Sequence, residues 1–331
     1  MGETLLRRIR TIPILFLLAA VVWALFVPLV IVAMVVDLGR WLPRRTPWMG
    51  TRLVAFLLAY LTAEVIGVIA LGSVWIGAGF GSHHDRLRRH TYTIQRLWAE
   101  AIFWAARAIF RLQVTAQGAE LASRPPFVVF ARHTSIVDNL LHTHLVSNPY
   151  RIHLRYVMKA ELLVDPAIDV AGNRLPNAFV KRGADDSEGA IESVRRLTED
   201  AGPDEGVLIY PEGTRFSPAK LERALRRLER RNPAVHAKAV GFHHLLPPRL
   251  GGPLAMLSAS SADVVFMAHH GLGGFARIAD IWSGAMVGRR ITVEYWRVPR
   301  SEIPTTRSGR VDWLFEWWHR IDDWVADKEA K

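Results

Sequence analysis

The 331-residue sequence contains no cysteine. This absence excludes a disulfide framework, a thiolate nucleophile and any metal site built on cysteine. The chain also lacks a G-x-S-x-G elbow and an H-E-x-x-H pair, which are typical of serine hydrolases and zinc peptidases. It has no internal repeat and no low-complexity tract, so nothing in it indicates a repeat architecture.

Acidic residues are scarcer than basic ones, at 31 against 42, and the formal net charge is +11. Such a charge favours anionic partners, which are nucleic acid, phospholipid headgroups or phosphorylated substrates. The length exceeds the usual range for one domain, so a large core with an appendage is expected. Hydropathy then distinguishes among the partners.

Two long stretches near the N-terminus carry almost no charge. Residues 11–36 carry none, and as a helix they would extend about 39 Å, against about 30 Å for the hydrocarbon core of a bilayer. Residues 53–80 carry only Glu64, which is expected at an interfacial end or beside a cavity. A cleaved signal peptide is the alternative, but the first apolar region is too long and no small-residue cleavage site follows. We predict a membrane-anchoring hairpin over residues 1–82, either two spans or a deep V within one leaflet.

Basic residues flank both arms of this hairpin and also occupy the loop between them. The outer flanks hold slightly more, so the rule that basic flanks stay inside favours both termini in the cytoplasm. The outer residues are Arg7, Arg8, Arg10, Arg86, Arg88 and Arg89, and those of the loop are Arg40, Arg44, Arg45 and Arg52.

The rest of the chain divides into two parts. Residues 83–125 are expected to form amphipathic and linker helices, the main one over residues 90–112, lying on the bilayer or against the main domain. Residues 126–331 alternate strand-like and helix-like segments, which predicts the α/β class with a central mixed, largely parallel sheet flanked by helices. Strands are expected over residues 127–131, 154–158, 178–181, 206–210, 239–243, 264–269 and 291–295, and helices over residues 187–199, 218–231, 254–260 and 311–326.

The block RHTSIVDNLL, residues 132–141, places a histidine and an acid five positions apart after a predicted strand. On one continuous helix, His133 and Asp138 would lie about 140° apart and could not meet, so His133 should precede the helix. Ser135 fits an N-cap, with Asp138 as its capping-box acid. Asp138 also fits an orienting role, in which it holds the His133 ring as a general base. The two roles of Asp138 are compatible.

A second block, LIYPEGTRFSP over residues 208–218, joins a predicted strand to a predicted helix. Ser217 and Pro218 fit an N-cap followed by proline at the first helical position. Helix capping does not account for residues 212–215, which precede them. Free backbone N–H groups and an arginine at such a junction favour an anion site.

In order and spacing, these motifs resemble the glycerolipid acyltransferase family, which includes 1-acylglycerol-3-phosphate acyltransferases and other lysophospholipid acyltransferases. The resemblance rests on H-x-x-x-x-D, a downstream F-V-x-R and P-E-G-T-R, and it covers residues 127–252. It implies the fold of the glycerol-3-phosphate acyltransferases and an O-acyltransferase activity. Residues 244–252, HLLPPRLGG, are similar to the L-x-P-R-x-x-G element of the branch that contains long-chain lysophospholipid acyltransferases.

The resemblance also implies roles for single residues. His133 is the base and Asp138 its orienter. The K-x-E-L-x-x-x-P pattern begins at Lys159, and Arg182 falls on the phosphate-binding arginine. The motif that binds and positions the glycerophosphate comprises Glu212, Gly213, Thr214 and Arg215.

The implied reaction transfers an acyl group from acyl-CoA or acyl carrier protein to the free 2-hydroxyl of lysophosphatidic acid, which gives phosphatidic acid. No cofactor is expected beyond this co-substrate, and neither a metal site nor a nucleic-acid partner is expected. With no cysteine and no G-x-S-x-G elbow, a substrate hydroxyl is the simplest nucleophile. Donors near the block at Gly213, or another backbone N–H group, should stabilise the oxyanion. Arg132 stands where the family often has Asn and adds a charge beside the thioester site.

The bilayer is the expected partner of the hairpin, because acceptor and product are both lipids. The predicted location is the bacterial inner membrane, with the catalytic domain on the cytoplasmic side. Two alternatives stay open. The first is an acyltransferase for another lysophospholipid or a lyso-aminolipid. The second is a non-catalytic basic membrane protein that binds anionic lipid or nucleic acid.

Overall fold

The N-terminal third of the protein is a set of long helices. In this computed structural model, which describes residues 2–135, 137–181, 187–273 and 282–330, the first charge-free stretch forms two consecutive helices rather than one. Helix α1 spans Gly2–Ala24 and α2 spans Phe26–Arg44. Pro28 has no N–H to offer the carbonyl of Ala24, which explains why the helix is interrupted at this turn.

A second apolar helix packs against α1 and α2. Helix α3 spans Met49–Gly77, and its N-terminus is held by Asp37, whose carboxylate accepts the N–H of Gly50 at 2.9 Å and that of Thr51 at 2.8 Å. Helices α2 and α3 are both long and apolar enough to cross a bilayer, and many large apolar side chains on them are exposed. These features support association with a membrane.

Helix α4 spans His84–Phe110 and presents one apolar face to the protein. Ile102, Phe103 and Phe110 are buried, and the helix packs along α3. Of the two expected positions for an amphipathic helix in this region, the structure therefore shows packing against the protein.

A seven-stranded sheet forms the centre of the molecule in the order β1-β7-β6-β2-β5-β3-β4. All neighbouring pairs are parallel except β6 and β7. This confirms the predicted α/β class with a mixed, largely parallel sheet. The strands are β1 Gln113–Gln117, β2 Phe127–Ala131, β3 His153–Lys159, β4 Ala178–Val180, β5 Glu205–Ile209, β6 Asp263–His270 and β7 Arg290–Val298.

Helices cover both faces of the sheet because its central strands are apolar on both sides. In β2, Val128 and Phe130 face one core and Phe127 and Val129 face the other, as the two-residue period of a strand requires. The helices that follow α4 are α5 Asp138–His142, α6 Asn148–Tyr150, α7 Pro166–Arg174, α8 Glu188–Glu199, α9 Pro218–Arg231, α10 Pro233–Ala239, α11 Gly251–Ala259 and α12 Arg307–Glu329.

Two strand predictions differ from the structure. No strand was predicted over β1, which lies in the segment expected to hold only helices and pairs with β7. The strand predicted over residues 239–243 is wrong, because Ala239 ends α10 and the chain then turns. The backbone N–H groups of His243 and His244 donate to the carboxylate of Asp322 in α12, at 3.0 and 2.8 Å, and so are not available to a sheet.

Candidate active site

The parallel strands β2, β3 and β5 are neighbours, so the residues at their carboxyl ends meet at one edge of the sheet. His133 follows β2, Lys159 ends β3 and Gly213 follows β5. All three line one cleft, and this is the edge at which α/β sheets usually bind ligands. The sheet thus brings together three of the residues that the sequence motifs single out.

His133 and Asp138 are in direct contact. Nδ1 of His133 lies 2.9 Å from Oδ2 of Asp138, which leaves Nε2 as the other ring nitrogen. The His133 side chain is 20% exposed and that of Asp138 is fully buried. A ring held from behind by a buried acid and open on its other side has the geometry of a general base.

Asp138 also organises the turn between β2 and α5. Its Oδ2 atom accepts the N–H of Thr134 at 2.7 Å and that of Ser135 at 2.9 Å. The second bond is the acid's half of the expected capping box. The other half is absent, because α5 begins at Asp138 with Val137 as its N-cap and the Ser135 hydroxyl accepts from Val137 instead.

The surroundings of Asp138 favour its ionised form. Burial alone would raise the pKa of this carboxyl, but the neighbouring histidines His269 and His133 more than offset it and hold the pKa well below its usual value. An acid that stays ionised can stabilise a positive charge that forms on the His133 ring.

Glu212 ties three segments together behind this pair. Its Oε1 atom accepts the N–H of His133 at 2.8 Å, and its Oε2 atom accepts the N–H of Leu246 at 2.9 Å. Burial raises the pKa of Glu212 to about 8, although these two donors and the charge of Arg132 oppose the shift. Through its hydrogen bond with the His133 N–H, the carboxyl group fixes the backbone of His133.

Gly213 occupies a turn that only glycine fits without strain. Its φ angle is +66°, and a Cβ atom there would lie 2.6 Å from Nε of Arg249. Its N–H donates to the carbonyl of Tyr210 at 2.9 Å. The N–H of Gly213 is thus used within the turn, and an oxyanion donor near this block or at another backbone N–H stays a prediction.

Thr214 and Arg215 continue from this turn towards α9. Nζ of Lys220 donates to the Thr214 hydroxyl at 3.1 Å and to the Arg215 carbonyl at 2.7 Å. Ser217 is the N-cap residue and Pro218 the first residue of α9, as predicted, although the Ser217 side chain makes no capping bond. Thr214 and Arg215 are half-buried and, within the described chain, are not among the residues that line the cleft.

Two further expectations from the sequence concern phosphate and metal binding. Arg182, the expected phosphate-binding arginine, lies outside the described residues. No group of three or more potential metal ligands occurs within the part of the chain that the structure describes.

The cleft has a polar and an apolar part. The polar lining consists of His133, Asn139, Lys159, Tyr210 and Arg249, and the apolar lining includes Val157, Met158, Leu162, Val180, Val194 and Ile209.

Arg132 is buried, and its guanidinium group binds backbone rather than facing the cleft. It donates to the carbonyl of His269 at 2.6 Å and to that of His244 at 2.9 Å. The sequence analysis expects the charge of Arg132 beside the thioester site. In the structure, Arg132 belongs to the framework that joins β2, β6 and the loop before α11.

Sequence reasoning missed three neighbours of the His–Asp pair. Tyr210 stacks on the ring of His133 with centroids 4.3 Å apart, and its hydroxyl donates to Asn139 at 2.7 Å. The signal for Tyr210 was its place at the end of a predicted strand, directly before the P-E-G-T-R block. The third neighbour, His269, lies near the end of β6, and none of the sequence motifs includes it.

Two comparisons found known proteins that this chain resembles. An acyltransferase family model matches residues 113–247, which contain both motif blocks. The crystal structure of the 1-acyl-sn-glycerophosphate (LPA) acyltransferase PlsC from Thermotoga maritima is similar, with a TM-score of 0.54 and 14% sequence identity over 85% of this chain and 98% of that chain. No curated protein sequence matches the chain.

The α/β fold of this chain is therefore shared with a solved acyltransferase structure. Residues 113–247 match the acyltransferase family model, which agrees with the resemblance drawn from the motifs. At 14% identity the likeness to PlsC shows a shared fold.

Proposed function

We propose that the protein is a membrane-bound 1-acyl-sn-glycerol-3-phosphate acyltransferase. It transfers an acyl group from acyl-CoA or acyl carrier protein to the 2-hydroxyl of lysophosphatidic acid. The observation that carries this proposal is the contact of His133 Nδ1 with a buried Asp138, 2.9 Å away, in a cleft that also contains Lys159 and Arg249.

In the proposed mechanism, Nε2 of His133 removes the proton from the 2-hydroxyl as the oxygen attacks the thioester carbonyl. The tetrahedral intermediate collapses and expels the thiolate of the donor, which takes the proton from the imidazolium. Asp138 stabilises the imidazolium between these steps. General base catalysis of this kind contributes roughly 10²–10⁴ in rate.

Charge and shape support an anionic lipid as acceptor. Lys159 and Arg249 line the polar part of the cleft, and an arginine can bind two phosphate oxygens at once. Arg215 and Arg182 are proposed to act with them as the family resemblance implies. Leu162, Val157 and Val180 offer an apolar wall that suits an acyl chain. The donor is a co-substrate, and no further cofactor is proposed.

The proposed location is the bacterial inner membrane, with the catalytic domain on the cytoplasmic side. It is supported by the apolar helices α2 and α3 and by the excess of basic residues on the outer flanks of the hairpin. Extraction of cell membranes with alkaline carbonate tests the attachment, since an integral protein stays in the pellet. Recovery of the full-length protein in the supernatant would contradict it.

An acyl-transfer assay with purified full-length protein tests the activity. Labelled acyl-CoA and acyl carrier protein are supplied with lysophosphatidic acid, other lysophospholipids and a lyso-aminolipid. We expect phosphatidic acid as the main product. Preference for an acceptor without a free phosphate monoester would contradict the proposed substrate while leaving the acyl transfer in place.

The role of His133 is tested by His133→Ala in the same assay. We expect a loss of about 10²–10⁴ in kcat, because alanine cannot take up the proton. His90→Ala is a matched control, since His90 is exposed on α4. Retained acyl transfer by His133→Ala would contradict the mechanism, and loss of transfer in the control would show that the assay reports general damage.

A further inference from the structure

The register of the sheet brings a second histidine to the site. Strands β2 and β6 are parallel neighbours, and Ala131 pairs with Met267. His133 lies two residues after Ala131, and His269 lies two residues after Met267. The same sheet edge therefore carries a histidine from each of these strands.

His269 contacts the oxygen of Asp138 that His133 does not use. Its Nε2 atom lies 3.3 Å from Oδ1 of Asp138, and both side chains are fully buried. Oδ2 takes the contact with His133 and the N–H bonds of Thr134 and Ser135. In the described chain this 3.3 Å contact is longer than a typical hydrogen bond, and Oδ1 accepts no hydrogen bond from another residue.

A structural role alone gives a poor account of this histidine. The preceding residues of β6, from Val264 to Ala268, are apolar and buried. Burying an imidazole among them costs roughly 1–3 kcal/mol unless it is paired, and an aliphatic side chain would fill the same space without that cost. The ring of His269 is instead aimed at the one acid that holds His133.

We propose that His269 is a positioning residue for the acyl transfer. Its Nε2–H group donates to Oδ1 of Asp138 and fixes the plane of the carboxylate, so that Oδ2 meets Nδ1 of His133. The proposal rests on the proposed function of the His133–Asp138 pair. His269 has no part in proton transfer to substrate, because Asp138 stands between it and His133.

Polar groups of two neighbouring elements lie close to His269. Asp138 and His142 lie near it on α5, and Arg132 binds its carbonyl from the end of β2. Arg132 also holds the carbonyl of His269 at 2.6 Å, so the backbone at this position is fixed independently of its side chain. A substitution of the ring therefore tests the contact with Asp138.

The test compares His269→Gln with His269→Met in the acyl-transfer assay. The amide nitrogen of glutamine reaches about as far as Nε2, whereas methionine fills the space without a donor. We expect His269→Met to lower kcat by about 10- to 100-fold with KM changed less than about threefold, because a small misplacement of a catalytic group has this effect. His269→Gln should recover kcat to within about fivefold of the wild type.

Two further variants keep the test sharp. His270→Met changes the next residue of the same strand and should leave kcat at the wild-type value. If His269→Met does not fold, as judged by its melting temperature, His269→Asn replaces it, since asparagine is polar but too short to reach Oδ1. His269→Asn should then show the same loss of kcat.

The outcomes are distinguishable. An unchanged kcat in His269→Met, or in His269→Asn where it replaces that variant, overturns the positioning role. A loss of kcat in His269→Gln equal to that in His269→Met overturns it too. Either result leaves the proposed function intact if the wild type transfers acyl groups and His133→Ala does not. Lack of acyl transfer by the wild type with every acceptor overturns both proposals.

Discussion

The carboxyl group of Glu212 accepts the backbone N–H of His133 at 2.8 Å, which makes the acid of the P-E-G-T-R block a support for the proposed base. Its other oxygen accepts the N–H of Leu246. The two motif blocks, 79 residues apart, are thus joined by one side chain. The sequence implies a substrate-positioning role for Glu212, and the structure adds the way in which it can act without touching substrate.

Glu212→Ala should destabilise the protein as well as slow it. The change leaves the buried N–H of Leu246 and the partly buried N–H of His133 without their partner, and each such loss costs about 1–3 kcal/mol. Thermal unfolding in detergent measures the stability, and the acyl-transfer assay measures the activity. Glu222→Ala is the control, because Glu222 is exposed on α9 and pairs only with Arg226 among the residues described. Equal melting temperatures for the two variants would contradict this account.

Gly213→Ala should lower activity more than its backbone strain alone explains. Both Gly213, with φ of +66°, and Gly288, with φ of +75°, lie in the left-handed region, which costs an alanine about 1–2 kcal/mol. Only at Gly213 would the new Cβ atom also displace Arg249, whose Nε lies 2.6 Å away. We expect at least a tenfold loss of kcat/KM for Gly213→Ala and wild-type activity for Gly288→Ala. The same kcat/KM in both variants would show that the position of Arg249 does not matter.

The sequence predicted the central strands because they are strongly apolar. Segments 127–131 and 206–210 correspond to β2 and β5, whose residues are all buried. Strand β1 was not predicted because it is an edge strand with four of its five residues exposed, so its sequence has no hydrophobic alternation. The false strand over residues 239–243 is apolar, but its end is fixed by Asp322, a partner 79 residues away. Local patterns do not reveal such contacts.

The sequence also predicted part of the candidate site. His133 and Asp138 were found because a histidine and an acid five residues apart cannot meet on a helix, and this constrains the turn. The same rule could not reveal His269, because its contact with Asp138 depends on the pairing of β2 with β6. Arg249 was noted within a motif, but its place over Gly213 follows from the turn geometry. The division of the chain at residues 82 and 125 stays a prediction.

His142 should make the protein sensitive to acid. It is fully buried near Asp138, and burial lowers its pKa to about 3, although the Asp138 charge opposes the shift. In the unfolded chain the pKa is about 6.5, so between pH 6.5 and 3 the unfolded state binds a proton that the folded state does not. Stability therefore falls as the pH drops through this window, by about 1.4 kcal/mol per pH unit for one proton.

His142→Leu should reduce this dependence, since leucine takes up no proton. The measurement is the free energy of unfolding against pH for the variant and the wild type, and the slope between pH 6 and about 4 should be smaller in the variant. His90→Leu, at an exposed position on α4, is the control and should keep the wild-type slope. Identical slopes for His142→Leu and the wild type would contradict a buried neutral His142.

The C-terminal helix should be required for activity although it does not line the cleft. Asp322 of α12 accepts the N–H groups of His243, His244 and Leu245 at 2.8–3.0 Å. The loop that it holds accepts Arg132 through the His244 carbonyl and donates to Glu212 through the Leu246 N–H. Removal of the carboxylate would therefore loosen the framework behind His133.

Asp322→Ala tests this connection. Three backbone donors lose their partner, the one of Leu245 being buried and those of His243 and His244 partly buried, which should lower stability by about 1–3 kcal/mol and reduce kcat at temperatures well below the melting point. Asp323→Ala is the matched control, because the neighbouring side chain is exposed on the same helix. Stability is measured by thermal unfolding and activity by the acyl-transfer assay. If Asp322→Ala melts and reacts like Asp323→Ala, the loop is held by other contacts, and the proposed dependence of the site on α12 is wrong.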